Sequence, residues 1–286
     1  VENLLINDNE LNLIKKTLKK DQIEYRFIDS GWANQVYEVD DIIFRFSRFE
    51  FTHDQMKREK VALETLSQLG FNEFPKLILT DDSLMAYPKL QGVPLTNEVL
   101  IENTDLSAFI AQSIACLLMS IHQLPQDKIK CLEFPYGGDD FWRDIWQPVS
   151  EKLSVTARTN SKKYFEHAFS MLKNVQIPKC IIHCDLGSNN ILFNQKSKKI
   201  GGIIDFGDLS YGDLARDFNG FFRHHGAEFV SLILRYYKIE LGDCFWERVE
   251  FYARKQKWMV YYYADKFQHE EIKPELLKAI EKEFSA

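Results

Sequence analysis

Two short apolar runs that must pair with one another constrain this chain most. Asn190-Ile191-Leu192-Phe193-Asn194 and Ile200-Gly201-Gly202-Ile203-Ile204-Asp205 are separated only by polar Gln195 to Lys199. Such runs with a polar break read as an antiparallel hairpin. With Ser197-Lys198 as the turn residues, Ile191 stands opposite Ile204 and Asn190 opposite Asp205. Directly opposed residues have Cβ atoms roughly 4.5–5.5 Å apart. An amide oxygen and a carboxylate that close, at the open end of a hairpin, can share a hard cation such as magnesium. Asp185 lies five residues before Asn190, after the apolar run Cys180-Ile181-Ile182, so it is expected to face the same cleft.

The spacing His183-x-Asp185-x-x-x-x-Asn190 is followed fifteen residues after Asn190 by Asp205-Phe206-Gly207. One aspartate that takes the proton of an acceptor hydroxyl, with an asparagine and a second aspartate holding magnesium on phosphates, is a phosphoryl-transfer arrangement. His183 is expected to support the loop by hydrogen bonding. Cys184, inside the motif, reads as a small buried filler.

The first ninety residues alternate strand-like pieces with helices. A helix is predicted over Asn7 to Lys20, then strands at 25–28, 35–39 and 42–46, with a tight turn at Asp40-Asp41. A second helix runs from about Thr52 to Leu69 and ends at Gly70. Strands follow at 76–80 and 84–87. Along the second helix Met56, Leu63, Leu66 and Leu69 form an apolar stripe on which Glu59 also falls. A carboxylate facing inward is costly unless paired. Arg45 interrupts the strand 42–46 on the face opposite Phe44 and Phe46. A strand cation and an inward helix glutamate are the pair that kinases use to hold nucleotide phosphates. Ser30 and Gly31 lie between two strands, where backbone N–H groups can contact phosphate.

Beyond residue 90 helices dominate, with helical patterns at 105–123 and 161–173. The expected fold is α+β and two-lobed. A small β-rich N-terminal lobe (1–90) binds nucleotide, a hinge at 87–91 connects, and a larger, mainly helical lobe (91–286) carries the catalytic loop. Composition agrees, with 45% hydrophobic and 27% charged residues. A net charge of −6 argues against nucleic acid as a partner and suits a cationic small molecule. Five scattered cysteines without zinc-like spacing, and a polar, acidic stretch from Val1 to Glu10, point to the cytoplasm. The apolar stretch from Phe109 to Leu124 is broken by polar residues and reads as a core helix, so no membrane partner is expected.

With these motifs in place, the chain resembles the aminoglycoside phosphotransferases, in particular the 2″-acting type, within the small-molecule kinases that share the protein-kinase fold, so the resemblance implies a two-lobed, protein-kinase-like fold. The likeness includes Ile43-Phe44-Arg45-Phe46, Glu59, Gln91-Gly92-Val93-Pro94-Leu95-Thr96, Ile182-His183-Cys184-Asp185, Ile191-Leu192-Phe193 and Gly202-Ile203-Ile204-Asp205-Phe206-Gly207-Asp208. It implies transfer of the γ-phosphoryl of ATP or GTP to a sugar hydroxyl, with Asp185 as base and Asn190 and Asp205 as Mg2+ ligands. It further implies that the base of the nucleotide lies against the connector Tyr87-Pro88-Lys89-Leu90. Asp217 matches a position that supports the catalytic loop in the family.

Two departures bear on function. Many relatives have Lys where Arg45 stands, and arginine binds phosphate with a different, bidentate geometry. Aminoglycoside-binding relatives often carry several acids after the residue matching Asp217, whereas this chain reads Phe221-Phe222-Arg223-His224-His225-Gly226-Ala227. The remaining candidates for a polycationic aminosugar are Asp208, Asp213 and Glu228, with Asp139 and Asp140 in a Gly-Gly loop. The aromatic run Trp258 to Tyr263 is expected to be core packing. Two alternatives follow: a kinase of the same fold for another small alcohol (a macrolide, a nucleoside-like antibiotic or a metabolite), and a nucleotide-binding protein without catalysis.

Overall fold

The computed structural model describes residues 6–30, 33–133 and 138–285. Helix α1 (Asp8–Leu18) starts at Asn7, whose side chain accepts from the Glu10 N–H while Glu10 reaches back, a reciprocal cap that satisfies two otherwise orphaned donors. Strands β1 (Arg26–Ser30), β2 (Asn34–Val39) and β3 (Ile42–Ser47) follow. The β2–β3 turn places Asp40 and Asp41 at φ 51° and 62°. Positive φ at both central residues is the turn whose twist matches the flanking strands. Helix α2 (His53–Ser67) comes next, then β4 (Leu79–Thr80) and β5 (Leu84–Pro88). The five strands form one antiparallel sheet in the order β1-β2-β3-β5-β4.

Period-two alternation divides that sheet. Tyr37, Val39, Phe44, Phe46, Leu84 and Ala86 join Ile14 of α1 in a small apolar core on one face. Arg45 therefore projects to the other face, towards α2. Only Leu79 and Thr80 of the expected strand 76–80 pair, and Ile78 is exposed at this sheet edge. Leu69 is also exposed, because α2 ends before it. Leu63 and Leu66 pack instead into the core of the helical region.

After the connector come β6 (Val93–Pro94), α3 (Asn97–Glu102), α4 (Ser107–His122) and α5 (Gln126–Ile129). A π-helical segment (Phe141–Trp146) leads into α6 (Gln147–Ser150) and α7 (Val155–Lys173). Strands β7 (Lys179–Ile182), β8 (Ile191–Asn194), β9 (Lys199–Ile203) and β10 (Ser210–Asp213) precede α8 (Ala215–Leu234), α9 (Phe245–Lys266) and α10 (Lys273–Phe284). By length and composition, Thr104–His122 is apolar enough to cross a membrane. In the fold its residues Ile110, Ile114, Leu118 and Ile121 are completely buried in the larger core.

Two backbone details shape the site. The β8–β9 hairpin forms, but Ile191 pairs with Ile203 rather than Ile204, and the register shifts between Leu192 and Phe193. The Asn194 carboxamide accepts the N–H groups of Lys196 and Ser197, closing a wider loop than the two-residue turn expected. Gly201 is the extra residue that restores pairing, a β-bulge. In α8, Gly226 is non-helical (φ 80°, ψ 173°), a conformation that strongly favours glycine, and it kinks the helix there.

Candidate active site

The loop between β7 and β8 is anchored from below. Asp217, fully buried in the first turn of α8, accepts the His183 N–H at 2.8 Å and the Cys184 N–H at 2.7 Å. His122 of α4 lies 3.0 Å from the same carboxylate and 2.5 Å from the Tyr237 hydroxyl. Burial pushes the Asp217 carboxyl up, but the His122 bond and charge and His183 outweigh it, so its pKa is lowered. Gly220, one turn on, lies so close to the loop that a Cβ there would be 1.7 Å from the Leu186 carbonyl oxygen.

His183 holds the loop to the end of β9. The Asp185 N–H donates to its Nδ1 at 3.4 Å, which leaves Nε2–H to donate to the Ile204 carbonyl at 3.1 Å. Its ring also packs 4.6 Å from Phe206. Cys184 is buried and its thiol is pushed up by that burial, as expected of a filler.

Asp185 emerges into the open cleft, and Asn190 Nδ2 donates to its carbonyl at 2.8 Å and to its carboxylate at 2.9 Å. Those bonds engage the amide nitrogen of Asn190 and leave its oxygen as the end suited to a hard cation. Asp205 sits at φ 66°, an uncommon conformation for a residue with a Cβ, with its side chain 50% exposed. Surrounding protein and then the Asp205 charge push Asp185 up to about 6. Asp208 is likewise pushed up to about 6 by its surroundings and by Asp185 and Asp205. Among the described residues no three His, Cys, Asp or Glu side chains converge on one point, so a Mg2+ here would take the Asn190 oxygen and the Asp205 carboxylate together with phosphate oxygens and water. The donor set therefore fits magnesium.

The opposite wall comes from the strand sheet. Arg45 and Glu59 meet, Nη1 to Oε1, at 2.5 Å, with side chains 5% and 1% exposed. Arg45 Nη2 also lies 3.0 Å from Asp205 Oδ1, and the Phe206 N–H donates to Glu59 Oε1 at 3.2 Å. Burial opposes the Arg45 charge, but Glu59 and Asp205 outweigh it and raise its pKa. Burial also pushes the Glu59 carboxyl up, with Arg45 opposing. One arginine thus joins β3, α2 and the Asp205-Phe206-Gly207 turn.

Other predicted residues are placed unevenly. Tyr87 is buried and stands on the Arg45 face of the sheet, since Ile43 pairs with Tyr87 and Arg45 with Met85. Leu90 packs over Gly202. The Lys89 N–H donates to the Asp41 carbonyl at 2.8 Å and its ammonium meets Glu38 at 3.0 Å. Ser30 ends β1, and Gly31 lies outside the described residues.

Of the expected acceptor-binding acids, only Asp208 joins the cluster. Asp213 is fully buried, ion-paired with Arg248, and accepts the Ala215 N–H, so it shores up the start of α8 rather than facing the cleft. Glu228 is exposed but lies beyond the Gly226 kink. Asp140 pairs with Arg143 at 2.8 Å, and Asp139 borders a separate cavity of about 420 Å³ with Trp142 and Trp146. The aromatic run of α9 divides. Trp258 is core, whereas Tyr262 and the edge of the otherwise buried Tyr261 line a cavity of about 330 Å³ with Asp144 and Asp265. His122 was not singled out by sequence reasoning, because its partner Asp217 is 95 residues away.

A kinase-like cleft of this geometry agrees with the match of residues 24–252 to the model of the phosphotransferase enzyme family. The chain belongs to that family. It is 21% identical over 168 residues to viomycin phosphotransferase of Streptomyces vinaceus, a match covering 58% of this chain and 55% of that protein. The chain thus aligns with about half the length of that curated relative. The fold matches the GDP complex of wild-type aminoglycoside 2′-phosphotransferase-IIIa with a TM-score of 0.80 and 18% identity, over 96% of this chain and 97% of that one. It also matches a macrolide 2′-phosphotransferase from Brachybacterium faecium, with a TM-score of 0.70 and 15% identity over 96% and 98% of the chains. The architecture is the α+β, protein-kinase-like one of these enzymes.

Proposed function

We propose that this family member moves the γ-phosphoryl of ATP or GTP to a hydroxyl of a small molecule, with an aminoglycoside as the first acceptor class to test. The observation that carries the reading is the convergence of Asp185, Asn190 and Asp205 with the buried Arg45–Glu59 pair on one cleft. Asp185 orients the acceptor hydroxyl and takes its proton, and Asn190 fixes the Asp185 carboxylate in place. Arg45, held by Glu59, binds nucleotide phosphate oxygens. Mg2+ held by Asn190 and Asp205 would neutralise charge on the phosphates. The lobe formed by residues 1–90 takes the nucleotide, with 87–91 as hinge. Tyr87 and Leu90 supply the wall against the base.

A second reading, another small alcohol as acceptor, is favoured by α8, which places Arg223 and His224 rather than acids beside the loop. Nucleotide consumption is to be measured over a panel of aminoglycosides, macrolides and small alcohols, with product mass. Magnesium-dependent consumption and a product one phosphoryl group heavier are expected for one class. Tight nucleotide binding with no transfer to any compound would instead support a non-catalytic nucleotide-binding protein.

A further inference from the structure

The first segment of α8 runs alongside the catalytic loop in register. Asp217 holds residues 183 and 184, Gly220 abuts the Leu186 carbonyl, and His224 Nε2 lies 3.8 Å from where a Cβ on Gly187 would stand. His225 Nε2 reaches within 3.5 Å of the Ser188 hydroxyl. Residues three, four and seven apart share a helix face, so Arg216, Gly220, Arg223 and His224 form one stripe along this loop. Arg216 is buried, whereas Arg223 and His224 are exposed. Among the described residues Arg223 makes no ion pair or hydrogen bond, yet it lies close enough to Asp185 to favour that carboxylate's charge. Glu228, one turn further, is removed from the stripe by the Gly226 kink.

We infer that Arg223, with His224 beside it, binds a carboxylate or phosphate group of the acceptor, which sets the aminoglycoside aside and narrows the second reading to a hydroxylated small-molecule anion. The inference rests on the phosphotransferase reading of the same cleft. A polycationic aminosugar lying along this stripe would face the Arg223 guanidinium, and like-charge contact of that kind disfavours a ligand. An anion meets the planar donors of an arginine in bidentate fashion. Asp185 then meets a hydroxyl elsewhere on the same molecule, clear of the anionic end.

The test uses the full chain with Mg2+ and a non-hydrolysable ATP analogue at constant ionic strength. Gluconate and glucose 6-phosphate are titrated as anions, glucose as the neutral control and kanamycin as the polycation, with binding read from the His224 ring signals and by calorimetry. Saturable binding of at least one anion, tighter than glucose and kanamycin, is expected. Arg223→Gln should weaken the anion by about tenfold or more, while Arg223→Lys recovers part of the loss. Absence of saturable anion binding, tighter binding of kanamycin, or an anion affinity unchanged in Arg223→Gln would overturn the inference. Equal weakening of glucose and the anions would also overturn it, assigning Arg223 to the cleft in general. Asp205→Ala is titrated with the magnesium nucleotide in parallel. If that variant binds nucleotide with unchanged metal dependence, the phosphotransferase reading itself fails. If it does not, only the acceptor class is at stake.

Discussion

The two walls of the cleft are built on opposite plans. On the side proposed for the nucleotide, Arg45 of β3 and Glu59 of α2 are buried against one another, and Arg45 also bonds the half-exposed Asp205. On the side proposed for the acceptor, a single helix face lies along the loop between β7 and β8 and leaves Arg223 and His224 exposed. A wall of mutually satisfied charges is a fixed device, because removing one member strands another in a dry environment. An exposed helix face can change residue by residue without threatening the fold. The difference accounts for one fold serving enzymes of different acceptors at such low identity.

Removing either anchor of the nucleotide wall should give the largest effects. Asp205→Ala is expected to abolish magnesium-dependent nucleotide binding, measured by calorimetry with and without the metal. Metal dependence equal to that of the parent would break the distinction between the walls. Arg45→Ala should destabilise the fold by about 3–5 kcal/mol in denaturant titrations, because Glu59 is left buried without its partner. Arg45→Ala together with Glu59→Gln should recover part of that loss, and failure to do so would mean that the pair does not act as a unit.

The anchor shared by both walls gives a smaller, pH-dependent effect. Asp217 has a folded pKa below its ordinary value. Its stabilisation is thus complete above about pH 4, the ordinary aspartate range, and is lost as the pH falls through the lower folded value. Asp217→Asn should flatten the acid side of the stability profile, measured by thermal unfolding between about pH 2 and pH 5. An unchanged slope would place the titration elsewhere.

Much of the nucleotide wall was legible in the sequence because each of its residues breaks a local pattern. Arg45 interrupts an apolar strand and Glu59 an apolar helical stripe, and two misplaced charges in one small lobe suggest one another. The Asp185–Asn190–Asp205 spacing was legible for the same local reason, although the register was not. Pairing is displaced by one residue, since the Gly201 bulge and the Asn194 loop depend on details that alternation does not encode. The acceptor wall was harder to read. Asp213 looked available until its burial against Arg248 emerged, a contact between residues 35 apart. Glu228 lost its place through the kink at Gly226, which in sequence is one glycine among 13. Periodicity from Asp217 through Gly220 to His224 does carry the helix face, but only once Asp217 is known to hold the loop.

The central claim is that Asp185 does chemistry while the opposite wall holds the nucleotide. Asp185→Ala, assayed for acceptor phosphorylation and for magnesium-nucleotide affinity in one preparation, tests it most directly. Transfer should fall by about a hundredfold to ten-thousandfold, the contribution of a positioned base, with nucleotide affinity within about threefold of the parent, under 1 kcal/mol. Parental turnover in that variant would contradict the account.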